Sequence, residues 1–124
     1  MEVNQVSGAV VDAAMKVHSA LGPGLLESAD EGCLKHGLLK RGLKCGSQAE
    51  MPVRYDGMKI DVGYRLDLLV EDAVIVELKS VERLVPVHEA QLLSYLKLSG
   101  KRIGLLINFN VPHLKDGIKR LVNN

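Results

Sequence analysis

Val6, Val10, Ala13, Val17 and Leu21 recur at steps of four, three, four and four residues. That spacing keeps them on one side of a helix and predicts an amphipathic α-helix over residues 4–21. Gly22-Pro23-Gly24 breaks it. A second helix is expected from about Leu25 to Arg41, stopped by Gly42. With Leu26 at zero on the wheel, Leu26, Cys33, Leu34 and Leu38 form the inward arc, and Glu27 and Asp30 fall inside it. A carboxylate in an apolar arc wants a partner. A salt bridge or the positive end of the helix dipole would serve either acid. For Glu27 a place in a functional site is equally open.

From residue 51 the pattern becomes that of strands. The segment "MPVRYDGMKIDVGYRLDLLVEDAVIVELKS" holds Asp56-Gly57, a hairpin signal, and a second turn around Glu71-Asp72. It predicts an antiparallel meander of strands at about 51–55, 59–70 and 73–80. Pro86 suits the first turn of a third helix, 86–99, ended by Gly100. The continuous apolar run "IGLLINF", 103–109, reads as an interior strand covered on both faces. After Pro112 a last helix is expected at 114–122, with Leu114, Ile118 and Leu121 inward. The order is α-α-β-β-β-α-β-α. The helix between the third and fourth strands permits a parallel crossover. The fold class is therefore α/β, with a mixed central sheet of about four strands flanked by helices, in one domain spanning residues 1–124.

Composition narrows the function classes. A chain of 124 residues suits one domain with a real core. The net charge of +1 means that nucleic-acid affinity would need a local basic patch. Three tyrosines, one phenylalanine and no tryptophan argue against an aromatic platform for stacked bases. Cys33 and Cys45 have no metal-ligand spacing and read as free, buried thiols of a cytoplasmic protein. Glu2, Asn4 and Gln5 stand where the basic start of a signal peptide would be, and no apolar run is long enough to span a membrane.

The candidate chemistry lies in "VIVELKS", Val74 to Ser80. Alternation along a strand turns Glu77 and Lys79 to one face and Val76 and Leu78 to the other. Either the two ions neutralise each other or something else occupies their face. Asp67, in "GYRLDLLV", stands on the preceding strand. A carboxylate from each of two neighbouring strands, with a lysine on the same face, makes a hard-cation site. All-oxygen ligands suit Mg²⁺ or Mn²⁺ rather than zinc. Lys79 could orient or deprotonate a water, or stabilise charge developing on a phosphate.

This convergence makes a geometric demand. A two-residue Glu71-Asp72 turn would set residue 67 opposite 76 and turn Asp67 away from Glu77. An odd loop length or a bulge is therefore expected between Leu68 and Ile75. On the third helix His88, Gln91 and Tyr95 share a face flanked by Val87, Leu92 and Leu98. They form either an internal polar network or part of the site, where Gln91 would hold Lys79 or a metal-bound water. His88 is accessory or structural, and Tyr95 is accessory or a packed ring. His18, at the border of the first helix's stripe, is open in the same way.

With Asp67, Glu77-x-Lys79 and Gln91-x-x-x-Tyr95 in hand, the chain resembles the PD-(D/E)XK (restriction-endonuclease-like) nuclease superfamily, and within it the GxxExxY family. The branch motif falls at Gly24-Leu-Leu-Glu27-Ser-Ala-Asp30, with Asp30 where a tyrosine is expected. "VHSALGPGLLES", "GYRLDLLVED", "VIVELKSVE", "HEAQLLSYLKLSG" and "GLLINFNV" are similar to its characteristic blocks. The resemblance implies Asp67 and Glu77 as ligands of Mg²⁺ or Mn²⁺, Lys79 as the catalytic lysine, Glu27 as an accessory acid at the metal and Gln91 as a supporting polar residue. It implies hydrolysis of nucleic-acid phosphodiesters, DNA first, by a metal-activated water. Lys101, Arg102, Lys115 and Lys119 are the best local basic groups for nucleic acid, and a homodimer could join two such patches. Two other readings stay open. One is a catalytically silent nuclease-fold module for nucleic-acid or protein binding, in which Glu77 and Lys79 form a plain ion pair. The other is a structural α/β domain with coincidental inward acids.

Overall fold

The valine and alanine stripe of the first helix buries itself as its spacing requires. In the computed structural model, which describes residues 1–124 apart from the side chains of residues 61 and 62, helix α1 spans Val3–Leu21 and buries Val6, Val10, Ala13 and Ala14. Helix α2, Glu27–Lys40, buries Asp30, Leu34 and Leu38. Strand β1 spans Cys45–Tyr55, β2 Met58–Val70 and β3 Val74–Lys79. Helix α3, Pro86–Ser99, crosses over to β4, Ile103–Asn108. A short 3₁₀ turn, Leu114–Gly117, leads into β5, Ile118–Val122.

The five strands form one sheet in sequence order. β3 and β4 are parallel, and every other neighbouring pair is antiparallel. Val74, Val76 and Leu78 of β3 and Ile103, Leu105 and Ile107 of β4 pack against α1 and α2. Ile75, Leu106 and Met51 meet Leu92, Tyr95 and Leu96 of α3 on the other face. β3 and β4 are thus covered on both sides, as their unbroken apolar runs require.

Three expectations need correction. The final helix over 114–122 is a 3₁₀ turn followed by β5, which pairs from Ile103↔Val122 to Ile107↔Ile118. Leu114, Ile118 and Leu121 fit a helical stripe, but β4 lies in the core, and β5 satisfies an edge that would otherwise leave backbone groups unpaired. The sheet therefore has five strands instead of about four. The inward arc of α2 is also rotated. Leu26 precedes the helix in extended backbone, with φ −66° and ψ 146°, so it cannot anchor the wheel. Leu26, Glu27 and Cys33 are exposed while Asp30 is buried. Of the two free thiols, both expected inside, Cys33 is exposed and Cys45 is half-buried.

Both turns of the meander matter to the site. Asp56 and Gly57, with φ of 51° and 73°, make the two-residue turn expected between β1 and β2. Between β2 and β3, Val70 pairs with Val74, leaving a three-residue loop, Glu71 to Ala73. That is the odd length demanded above. The loop is held by the Lys44 N–H donating to Glu71 Oε2, by the Glu71 N–H donating to the Lys44 carbonyl at 2.8 Å, and by Lys101 paired with Asp72 at 3.2 Å.

Candidate functional site

The backbone ladder between β2 and β3 runs from Val70↔Val74 to Leu68↔Val76. The next residues in that register are Asp67 and Glu77, and there side chains take over. The Asp67 N–H donates to Glu77 Oε1 at 3.2 Å, and the Leu78 N–H donates to Asp67 Oδ2 at 2.8 Å. Both carboxylates therefore sit in the cleft where the strands part. The odd loop already sets Asp67 on the Glu77 face, and the strand phase slips just beyond it. Leu66 packs on the α3 side and Leu68 on the α1–α2 side, although residues two apart in a regular strand share a face. Across from Asp67, between the pairs Ser47↔Leu68 and Ala49↔Leu66, Gln48 has a φ of 53°. The slip and the left-handed residue occur at the same step of the ladder.

Glu77 is 5% exposed. Burial, and then the negative charge of Asp67, push its carboxyl up from the usual carboxylate range to about 8. Lys79 pulls the other way and contributes least. It is half-buried on the same side of β3, and no salt bridge joins it to Glu77 among the described residues. Without a cation, Glu77 is mostly protonated at neutral pH.

Around this pair stand groups from three other elements. Tyr95 of α3 is buried, and burial followed by the charge on Glu77 raises its phenol. Gln91 is exposed, and its Nε2 donates to the Tyr95 hydroxyl at 3.0 Å. His88 Nδ1 accepts the Val85 N–H at 3.1 Å, which caps α3. From β1, Gln48 Nε2 donates to Glu31 Oε1 of α2 at 2.9 Å and, at a long 3.5 Å, to Asp67 Oδ1. Burial raises the Glu31 carboxyl, with Asp67 adding to the effect. Glu31 is thus the α2 acid linked to Asp67, while Glu27 lies exposed one turn earlier. Asp30 is 1% exposed, and its Oδ1 has no hydrogen-bond partner. Its carboxyl is raised by burial, with His18 nearby opposing that shift. His18 itself bonds through Nε2 to the Val111 carbonyl at 2.8 Å.

The four basic residues expected at nucleic acid do not gather here. Lys101 and Arg102 precede β4, whose first residue pairs with Val74, while Asn108 pairs with Lys79. They lie roughly 16 Å of strand away from Lys79. Lys119 is paired with Glu89 at 3.2 Å. Lys115, exposed on the 3₁₀ turn, is at the Lys79 end of the sheet.

The donors fit a hard divalent cation. Two carboxylates of adjacent strands converge, one retaining a proton because it is buried and then because its neighbour is charged, and a cation would replace that proton. Among the described residues no third His, Cys, Asp or Glu side chain completes a ligand cluster. Mg²⁺ accepts this, since it is held by one or two carboxylates plus water and phosphate oxygens. A model of the PD-(D/E)XK nuclease superfamily matches residues 4–121. The chain belongs to that superfamily. Neither a curated protein nor a solved structure matches it significantly. PD-(D/E)XK proteins are typically nucleases and generally use divalent metals, which agrees with the acids found in the cleft. No helix among the described residues is long and apolar enough to cross a membrane.

Sequence reasoning missed Glu31 and Gln48. Glu31 becomes visible once the α2 wheel is anchored on Leu34 and Leu38 instead of Leu26. Gln48 gave no signal, because the strand was expected to begin at residue 51 and its conformation is left-handed. Asn108 was also missed. It is buried and fastens the segment after Lys79, accepting the Val81 N–H at 3.1 Å and donating to the Val81 carbonyl at 2.9 Å.

Proposed function

We propose that this PD-(D/E)XK protein is a Mg²⁺- or Mn²⁺-dependent nuclease of the GxxExxY branch that hydrolyses DNA phosphodiester bonds. The observation that carries the reading is the pairing of Asp67 with Glu77 in the cleft between β2 and β3. These two residues would hold the cation. When bound, it would supply Lewis-acid stabilisation of phosphate charge and make water a stronger nucleophile. Lys79, free of a salt bridge to Glu77 among the described residues, would take a proton from the attacking water or offset charge on the phosphate oxygens. In the reaction the water oxygen bonds to phosphorus, the P–O bond to one sugar breaks, and the departing oxygen takes up a proton. Tyr95 closes the α3 side of the cleft, and Gln91 holds its hydroxyl.

The test incubates the protein with supercoiled, single-stranded and branched DNA, and with RNA, in Mg²⁺ or Mn²⁺. Metal-dependent cleavage that disappears in Asp67→Ala and Lys79→Ala is expected. Cleavage unchanged in Lys79→Ala would remove the role given to that lysine. One observation favours a second reading, a catalytically silent binding module: Lys101, Arg102 and Lys119 are distant from Lys79 or paired elsewhere. Absence of both Mn²⁺ uptake and cleavage of any of these substrates would support it.

A further inference from the structure

We propose that Gln48 is a positioning residue for Asp67: its amide, anchored by Glu31, fixes the outer oxygen of the Asp67 carboxylate and so sets the plane offered to a divalent cation. This rests on the reading of Asp67 as a cation ligand. Asp67 Oδ2 is already held by the Leu78 N–H at 2.8 Å. One contact leaves the group free to turn about its last torsion, which is broad for aspartate. The Gln48 amide supplies the second contact, at Oδ1, and its other bond, to Glu31 at 2.9 Å, keeps it from drifting. A neutral donor placed between two acids also separates charges that would otherwise repel.

The backbone argues the same way. Gln48 lies inside β1 with a φ of 53°. That region is sterically costly for any residue with a Cβ and is uncommon within strands. Glycine would relieve the strain, yet a glutamine stands there. Strain retained beside a cleft is a pointer to function. The structure shows what it accomplishes. Ser47, before the slip, accepts from Lys35 of α2 at 3.0 Å, and Ala49, after it, packs on the α3 side. The residue between them is swung across the gap from α2 to Asp67. Outer contacts of this kind orient metal ligands and tune affinity.

The test measures Mn²⁺ binding by calorimetry and metal-free thermal stability for wild type, Asp67→Ala, Gln48→Gly and Gln48→Asn. Glycine accepts the backbone but has no amide. Asparagine tolerates the left-handed region and keeps the amide, one carbon too short to span both acids. Both Gln48 variants are expected to keep or raise the melting temperature while weakening Mn²⁺ about tenfold to a hundredfold. Unchanged Mn²⁺ affinity in both would overturn the positioning role. So would affinity and stability falling together in both, since Gln48 would then merely support the strand. Wild type taking up no Mn²⁺, like Asp67→Ala, would instead overturn the ligand reading beneath it.

Discussion

Asp67 and Glu77 each bond to the backbone of the other's strand. The Asp67 N–H is bound by the Glu77 carboxylate, and the Asp67 carboxylate binds the N–H of Leu78, next to Glu77. The acids thus replace the ladder where the sheet opens, and before any cation arrives the two carboxyl groups sit together with Glu77 keeping its proton.

Asp67→Asn separates the charge from the hydrogen bond. The amide oxygen still accepts the Leu78 N–H, so the fold should persist with a stability change within about 1 kcal/mol. The negative charge beside Glu77 disappears, so the Glu77 titration should move down from about 8. Carboxyl NMR across the pH range checks this. An unmoved Glu77 midpoint would mean that Asp67 does not act on it.

Metal-free stability should fall as pH rises. Glu77 holds its proton more tightly folded than unfolded, with a folded pKa of about 8 against an ordinary 4.5. Its contribution is complete below the ordinary value and is lost progressively up to the folded one, on the order of a few kcal/mol in all. Urea denaturation with a chelator, at several pH values, should show a steeper loss for wild type than for Glu77→Gln. Added Mn²⁺ should flatten the wild-type profile, with protons released on binding.

Asp30→Leu should stabilise the protein at neutral and alkaline pH. The native carboxyl is buried among Leu34 and Leu38 with one oxygen unpartnered. Burial raises its pKa, so the penalty for leaving it ionised grows with pH. The gain should be about 1–2 kcal/mol at pH 8 and shrink toward pH 3, as thermal melts would show. A uniform loss at every pH would show that attraction to His18 outweighs burial.

Gly117→Ala should be among the most damaging single-methyl changes. A Cβ there would overlap the Asn108 carbonyl oxygen and crowd Val111. The turn into β5 would have to shift, at about 1–3 kcal/mol or more. Chemical denaturation measures it, and Gly8→Ala, where a Cβ meets nothing within 4 Å, is the control.

The local signals explain how much could be read in advance. Proline at the start of α3 and glycine after its end fixed that helix to residues 86–99, and Asp56-Gly57 fixed the first hairpin. Asp67, Glu77 and Lys79 were legible because charges stand out in apolar strands. The rest depended on tertiary context. Ile118 and Leu121 suit a helix or an edge strand equally, and only the needs of β4 decide. Leu26 looked like core because apolarity alone cannot say that a residue precedes its helix. Gln48 owes its place to a backbone inversion that no side-chain pattern encodes.

The loop of Glu71, Asp72 and Ala73 imposes a parity rule on the gene. Deleting or adding one codon there would exchange the two faces of β2 relative to β3, turning Asp67 out of the cleft toward the α1–α2 side and Leu68 away from it. Adding two would preserve the phase and merely lengthen the tip. Length variation at this turn among related chains should therefore come in even steps wherever the acidic pair is kept.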